Sequence, residues 1–357
     1  MSKLARGAGN PRIKQYLDLA VKYHASDIHL VSGRPPVFRV QGGLIAVDLP
    51  TMESDYLEEI LDEMLTEKQR EAFIESRELD FAYSCLSGYY FRVNIHQERN
   101  NMAATIRVMP SSLTSIAQLG LPKSIGDLAL RRSGLILIVG RAGSGTTTTM
   151  SHLGDHINQK QNYKIMTIED PIEDVHTSKK SLIIQREVGA DTATFATGLK
   201  YALRQDPDVV VVGEMRDLDS ISMTLTTAET GHLVLATLHA SDAIEAINRI
   251  IDVYPGEKQN QIRVQMAENL LAVIGQNLLP RKDNTGRILA SELIVSTLAV
   301  RNMIRRNALA EIRSQMETGR EGMYTLEQCL STLVKREIVA SDVAQSHAKF
   351  PALLELQ

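Results

Sequence analysis

Apolar residues at Ile13, Leu17, Ala20 and Val21 share one side of a helical wheel and predict a short amphipathic helix. A brief strand follows and stops at Gly33. Residues 36–47, PVFRVQGGLIAV, predict a hairpin whose tight turn is Gly42 and Gly43. Two acidic amphipathic helices are expected over 52–65 and 67–77, the second opened by Thr66 as N-cap. Residues 79–110 then alternate apolar and polar positions through three strands. Residues 1–110 therefore read as a separate α+β domain.

The pattern changes after a stretch at 111–126 punctuated by Gly120, Pro122 and Gly126, which reads as a linker. LILIV at 135–139 is continuously apolar, as in a strand buried on both faces of a parallel sheet. The same signal recurs at 163–168, 208–212 and 232–238, with helical segments between. Strands alternating with helices predict a doubly wound α/β core across 127–357. From Pro255 onward the pattern is mostly helical, apart from a strand pair near 286–295.

Composition narrows the function classes. The chain has 357 residues, 43% hydrophobic and 23% charged, the balance of a soluble globular protein of two domains. A net charge of −4 and the absence of Trp argue against a nucleic-acid binder with base-stacking aromatics. The two cysteines, Cys85 and Cys329, are too few and too far apart for a disulfide framework or a cysteine zinc site. They read as reduced thiols of a cytosolic protein. The first residues lack the apolar stretch of a signal peptide, and no uncharged apolar run nears the ~20 residues that span a bilayer. Membrane association is expected only through a partner.

The candidate chemistry begins at Gly140. The run Gly140, Arg141, Ala142, Gly143, Ser144, Gly145, Thr146, Thr147, Thr148 follows a buried strand and opens a helix. That is the setting of the phosphate-binding loop G-x-x-x-x-G-K-[ST], in which backbone N–H groups and the helix N-terminus meet phosphate oxygens. Thr147 supplies the hydroxyl for Mg²⁺. Thr146 stands where the pattern has lysine, which removes a charge-assisted phosphate contact worth about 1.5–3 kcal/mol. Binding is expected to survive on the backbone, and hydrolysis to suffer more, because the lysine charge offsets that of the transition state. Arg141 is the one cation within the loop, read mainly as a solvated side chain.

Carboxylates gather at strand ends. Glu169, Asp170 and Glu173 follow the strand at 163–168, and Glu214 follows the apolar strand at 208–212 one residue later than usual, after Gly213. An acid there polarises an attacking water or holds Mg²⁺ through water. Asp217 is better suited to capping the next helix. His232 and His239 bracket the strand at 232–238, and His239, at its C-terminal end, is the better candidate for the nucleotide edge.

Seven segments taken in order, ASDIHL, FRVN, TIEDPIE, QREVG, ALRQDPDVVVVGEMRD, AETGHLVLATLH and AVRNMIRRNALAEIRS, resemble the type II/IV secretion superfamily ATPases along nearly the whole chain. Within that family the resemblance is to the pilus-retraction branch, since extension ATPases carry a tetracysteine zinc element. It implies a PAS-like N-terminal domain, a RecA-like ATPase domain with C-terminal helices, and a homo-hexameric ring. It further implies ATP and Mg²⁺ as cofactors, an inner-membrane pilus platform protein and a paralogous retraction ATPase as partners, and no nucleic acid. By the same resemblance Glu173, Glu214, His232 and His239 are catalytic, and Arg92 and Arg107 reach the nucleotide from the N-terminal domain. The family has lysine at the position of Thr146 and usually proline at that of Arg141. A hydrolysis-impaired paralogue that co-assembles with an active ATPase is the competing reading.

Overall fold

The computed structural model describes residues 12–40, 42–84, 89–109 and 119–355. Cys85 and residues 111–118 of the expected linker lie outside them. The chain divides into two compact units, Met1–Ser112 with Pro171–Val175, and Leu113–Asp170 with His176–Gln357.

In the first unit the helices α1 (Ile13–Lys22), α2 (Ser54–Asp62) and α3 (Glu67–Ser76) accompany a six-stranded antiparallel sheet. Its strands are β1 (Asp27–Leu30), β2 (Val37–Val40), β3 (Gly43–Ala46), β4 (Glu78–Ser84), β5 (Tyr90–Glu98) and β6 (Asn101–Val108), in the order β3-β2-β1-β6-β5-β4. Apolar positions of α1 and alternate strand residues, including Leu17, Ile28, Phe38, Phe91 and Ile106, close one core. Thr66 caps α3 through a reciprocal bond pair with Gln69, as its sequence position predicts.

The second unit is built on a seven-stranded mixed sheet ordered β13-β12-β7-β11-β10-β8-β9. Its strands are β7 (Gly134–Gly140), β8 (Lys164–Glu169), β9 (Leu182–Glu187), β10 (Val209–Val212), β11 (Leu233–Leu238), β12 (Leu270–Pro280) and β13 (Arg287–Val295). Every residue of β7 is buried. Leu135, Leu137 and Val139 enter one core cluster while Ile136 and Ile138 enter another, so both faces are covered. The doubly wound α/β expectation therefore holds. The connecting helices that matter below are α4 (Lys123–Leu128), α5 (Thr146–Lys160), α6 (Phe195–Ala202), α7 (Leu218–Glu229) and α8 (Ala243–Asp252).

Three features differ from the sequence reading. The end of the expected linker is α4, whose Ile125 is fully buried in the second core. β9 was not foreseen, being an edge strand of half-buried residues with Leu182 exposed. The late strand pair begins sixteen residues early, because β12 continues straight out of a helix and adds to β7 in parallel, pairing Gln276 with Gly140.

Candidate nucleotide site

β7 ends at Gly140, the loop turns through Gly143 (φ 78°) and Gly145 (φ 88°), and Thr146 begins the fifteen-residue α5. Gly145 is the left-handed N-cap of α5, and the first amides of a helix lack intrahelical partners and carry the positive end of its dipole. Gly140 is required for another reason: a Cβ there would lie 2.7 Å from the carbonyl oxygen of Gln276 and collide with Ser144. The loop is thus pressed onto β12. Ser144 is buried, and its Oγ has no partner among the described residues. An orphaned hydroxyl in a ring of backbone amides suits a phosphate oxygen. Thr146 and Thr147 are half-buried, whereas Arg141, Ala142, Gly143 and Thr148 are exposed. The Arg141 carbonyl accepts the Ser144 N–H at 3.0 Å, which closes the turn.

Behind the loop, Gln276 Nε2 donates to Thr149 Oγ1 at 2.9 Å. Both side chains are buried, so β12 braces the first turn of α5.

Beside the loop, the parallel strands deliver their C-terminal residues to one edge. His239, just past β11, approaches the Gly140 carbonyl with Nδ1 at 3.3 Å and Glu214 Oε1 with Nε2 at 3.1 Å. Both neighbours are acceptors, and a neutral imidazole has one N–H to give. Its own carbonyl accepts from Arg249 Nη1 at 2.6 Å, which fixes the backbone at that point. Glu214 follows Gly213 because the strand end is crowded: a Cβ on Gly213 would stand 3.1 Å from Glu169 Cα and from the Ile168 carbonyl. The acid is displaced by one residue, past the tight approach to β8. Its second oxygen accepts from Arg216 Nε at 2.6 Å, and Arg216 Nη1 reaches Asp170 at 2.7 Å.

Below that edge Glu169 is buried and accepts from Thr167 Oγ1 at 2.5 Å and from Gln185 Nε2 at 3.0 Å. A short bond from Thr237 Oγ1 to the Gly213 carbonyl, with Met215 N–H on the Thr237 carbonyl at 2.9 Å, locks β10 to β11 there. Asp217 caps α7 through a reciprocal bond pair with Ser220.

His232 does not join this edge. It lies before the first residue of β11, bonded to the Thr227 carbonyl and Thr230, roughly 20 Å along the strand from His239. The strand separates the two histidines by its full length, so His239 alone of the pair lies at the loop edge of this unit, the end the sequence favours. Glu173 falls within the first unit, where Arg92 Nη1 is 3.8 Å from its carboxylate. Arg92 and Arg107 are cross-strand partners on β5 and β6, and Arg107 in turn opposes Asp27. Arg107 Nε is bonded to Asp27 at 2.9 Å.

Sequence reasoning passed over Arg216, Gln276 and Arg249. Gln276 and Arg249 carry no motif of their own, and Arg216 stands in the quoted segment ALRQDPDVVVVGEMRD without a role assigned to it. The signal available for Arg216 was its place two residues beyond Glu214, on the same side of an extended segment.

Among the described residues no three His, Cys, Asp or Glu side chains converge as a metal site. No helix among them is long and apolar enough to cross a membrane.

Comparison with known proteins gives this arrangement its context. The family model for the type II/IV secretion system protein matches residues 7–350. The chain is 40% identical over 340 residues to the type IV pilus retraction ATPase PilT of Pseudomonas aeruginosa, covering 95% of this chain and 98% of that protein. It is 40% identical over 315 residues to a twitching motility protein of Neisseria gonorrhoeae, covering 88% and 84% of the two. The crystal structure of the pilus retraction motor PilT with bound ADP superposes with a TM-score of 0.91 at 39% identity, covering 98% of this chain and all of that one. A loop-and-acid site on this fold, matched from end to end, places the chain in the type II/IV secretion system protein family.

Proposed function

We infer that this chain is a motor ATPase of the type IV pilus machinery that powers pilus retraction and twitching motility. The single observation that carries this reading is the line of contacts from the Gly140 carbonyl through His239 to Glu214. An acid and an imidazole beside a loop of the phosphate-binding pattern support a reading as hydrolysis of a terminal phosphoanhydride.

In this reading the amides of the loop and the start of α5 hold the phosphates of ATP, with Ser144 Oγ as an added donor. Thr147 and Glu214 would hold Mg²⁺, Glu214 through water, since both its oxygens already have partners. The metal, when bound, neutralises charge on the phosphate oxygens. Glu214 orients the attacking water and accepts its proton, while His239 fixes which way the carboxylate faces. By the family resemblance Glu173 is a further acid for water activation, and Arg92 and Arg107 are cations for the phosphates. The protein works in the cytoplasm as a homo-hexamer against an inner-membrane platform protein.

The test is phosphate release from ATP by the purified chain, with Glu214→Gln as the control, alongside sedimentation with and without ATP and Mg²⁺. Turnover lost in Glu214→Gln, from a ring of six, is the expected result. A stable monomer that releases no phosphate defeats the proposal. Thr146 favours a second reading, a hydrolysis-impaired subunit that binds nucleotide and co-assembles with an active retraction ATPase.

A further inference from the structure

Side chains tie four strand ends into one line along the nucleotide edge: Gly140 at β7, His239 at β11, Glu214 at β10 and Asp170 at β8. The last link is Arg216, whose Nε donates to Glu214 and whose Nη1 donates to Asp170. We propose that Arg216 is a positioning residue for ATP hydrolysis, fixing the Glu214 carboxylate by spanning it and Asp170. The proposal rests on the ATPase reading above.

The geometry is that of a held fork. Adjacent parallel strands run about 4.8 Å apart, so acids leaving β10 and β8 on one side face each other and repel. A guanidinium presents separate N–H directions from one plane and satisfies both acids at once, which a lysine ammonium cannot do with fixed orientation. Glu214 and Arg216 lie two apart, with buried Met215 between them. Residues so spaced in an extended segment project to the same side. The Arg216 backbone is itself fixed, its N–H donating to Ser220 Oγ at 3.2 Å within the cap of α7. The guanidinium carbon also lies 6.0 Å above the Phe195 ring. With one Glu214 oxygen committed to Arg216, the other is left to face His239. Orientation is what this contact supplies. At half exposure an ion pair adds little stability, so its loss is expected to register in turnover rather than in unfolding.

The experiment compares Arg216→Gln, Arg216→Lys, Asp170→Asn and the Arg216→Gln/Asp170→Asn double variant, in the chain as it stands and with Thr146→Lys. It reads kcat, KM, ATP affinity by calorimetry, and Tm. In Arg216→Gln, kcat is expected to fall about tenfold, equal to ~1.4 kcal/mol of barrier. ATP affinity stays within about twofold and Tm within about 2 °C. Arg216→Lys recovers less than half the loss. Asp170→Asn lowers kcat alone and adds nothing to Arg216→Gln, as expected of residues acting as one unit. Unchanged kcat in Arg216→Gln overturns the proposal while leaving the ATPase reading intact. A tenfold loss of ATP affinity overturns it too, because Arg216 then binds phosphate directly. A fall in kcat tracked by a fall in Tm makes the residue structural and also overturns it. Absence of turnover in both parent backgrounds removes the ATPase reading, and this inference with it.

Discussion

His239 Nε2 stands 3.1 Å from Glu214 Oε1, joining the ends of β11 and β10 across one strand spacing. The other ring nitrogen lies 3.3 Å from the Gly140 carbonyl, so the side chain sits between the acid and the loop. Removing it frees Glu214 to turn toward Arg216 alone. His239→Ala is expected to lower kcat at least about tenfold, ~1.4 kcal/mol of barrier, as the loss of a group that orients Glu214. ATP affinity should stay within about threefold, because the loop amides are untouched. Stopped-flow phosphate release paired with calorimetry checks this, and a variant with parental kcat refutes it.

Asp27 occupies the centre of a cross-strand row, opposite Arg39 on one side and Arg107 on the other, with Arg92 beyond. Burial raises the carboxyl, but bonds from Arg107 and Ser26 outweigh it and hold Asp27 below its usual range. A depressed folded value contributes stability above the unfolded value and loses it as pH falls through the folded one. Asp27→Asn should therefore destabilise the protein at pH 7, by about 1 kcal/mol once the exposure of Arg107 is allowed for. The gap between variant and parent should narrow below about pH 4. Thermal melts at pH 7 and pH 3 measure it.

The fold was legible wherever one segment carries its own periodicity. The all-buried strands β7, β10 and β11 could be read directly, as could α1 and the Thr66 cap. β9 and β12 were not, because their residues are defined by the strands they join. Leu182 is exposed, and Gln276 is polar yet buried against Thr149. The site divides the same way. Loop glycines and strand-end acids declare themselves by spacing. Arg216 acquires meaning only when Asp170, forty-six residues away, is brought beside it. The spacing of His232 and His239 already put them at opposite ends of one strand, and β11 sets only His239 at the loop edge.

Glu292 on β13 is buried and accepts the Ala243 N–H at 2.6 Å, at the start of α8. Burial pushes its carboxyl up to about 7, aided by Asp242 and Glu327 and opposed by the Ala243 amide and Lys349. For an acid with a raised folded value, the native state binds more protons than the unfolded chain between the two values. Stability then falls as pH rises from about 4.5 to about 7 and stays reduced above. Glu292→Gln keeps the acceptor and removes the titration. It should be more stable than the parent at pH 8, by about 3 kcal/mol at most on this shift, and equal to it near pH 4. Urea unfolding at the two pH values tests this, and an equal offset at both rejects it.

Thr146 opens α5, with Gly145 at the cap and the Thr147 hydroxyl next in line. A lysine there would set a positive charge against the positive end of the helix, costing about 0.3–1 kcal/mol without an anion. Threonine avoids that cost and gives up the charge that meets the β- and γ-phosphates. Around it the rest of the edge is assembled: Glu214 is held by His239 and Arg216, and the loop is pressed onto β12. Restoring the cation should therefore raise turnover rather than merely tighten binding. Thr146→Lys is expected to increase kcat at least about tenfold, ~1.4 kcal/mol of barrier. It should also lower Tm slightly without nucleotide and raise it with ATP and Mg²⁺, since the charge is then paired. The rival is Arg141, exposed on the same loop. If Arg141 already serves the phosphates, Thr146→Lys changes little and Arg141→Ala abolishes turnover. Measuring both variants separates the two cases, because one cation position cannot be both redundant and limiting.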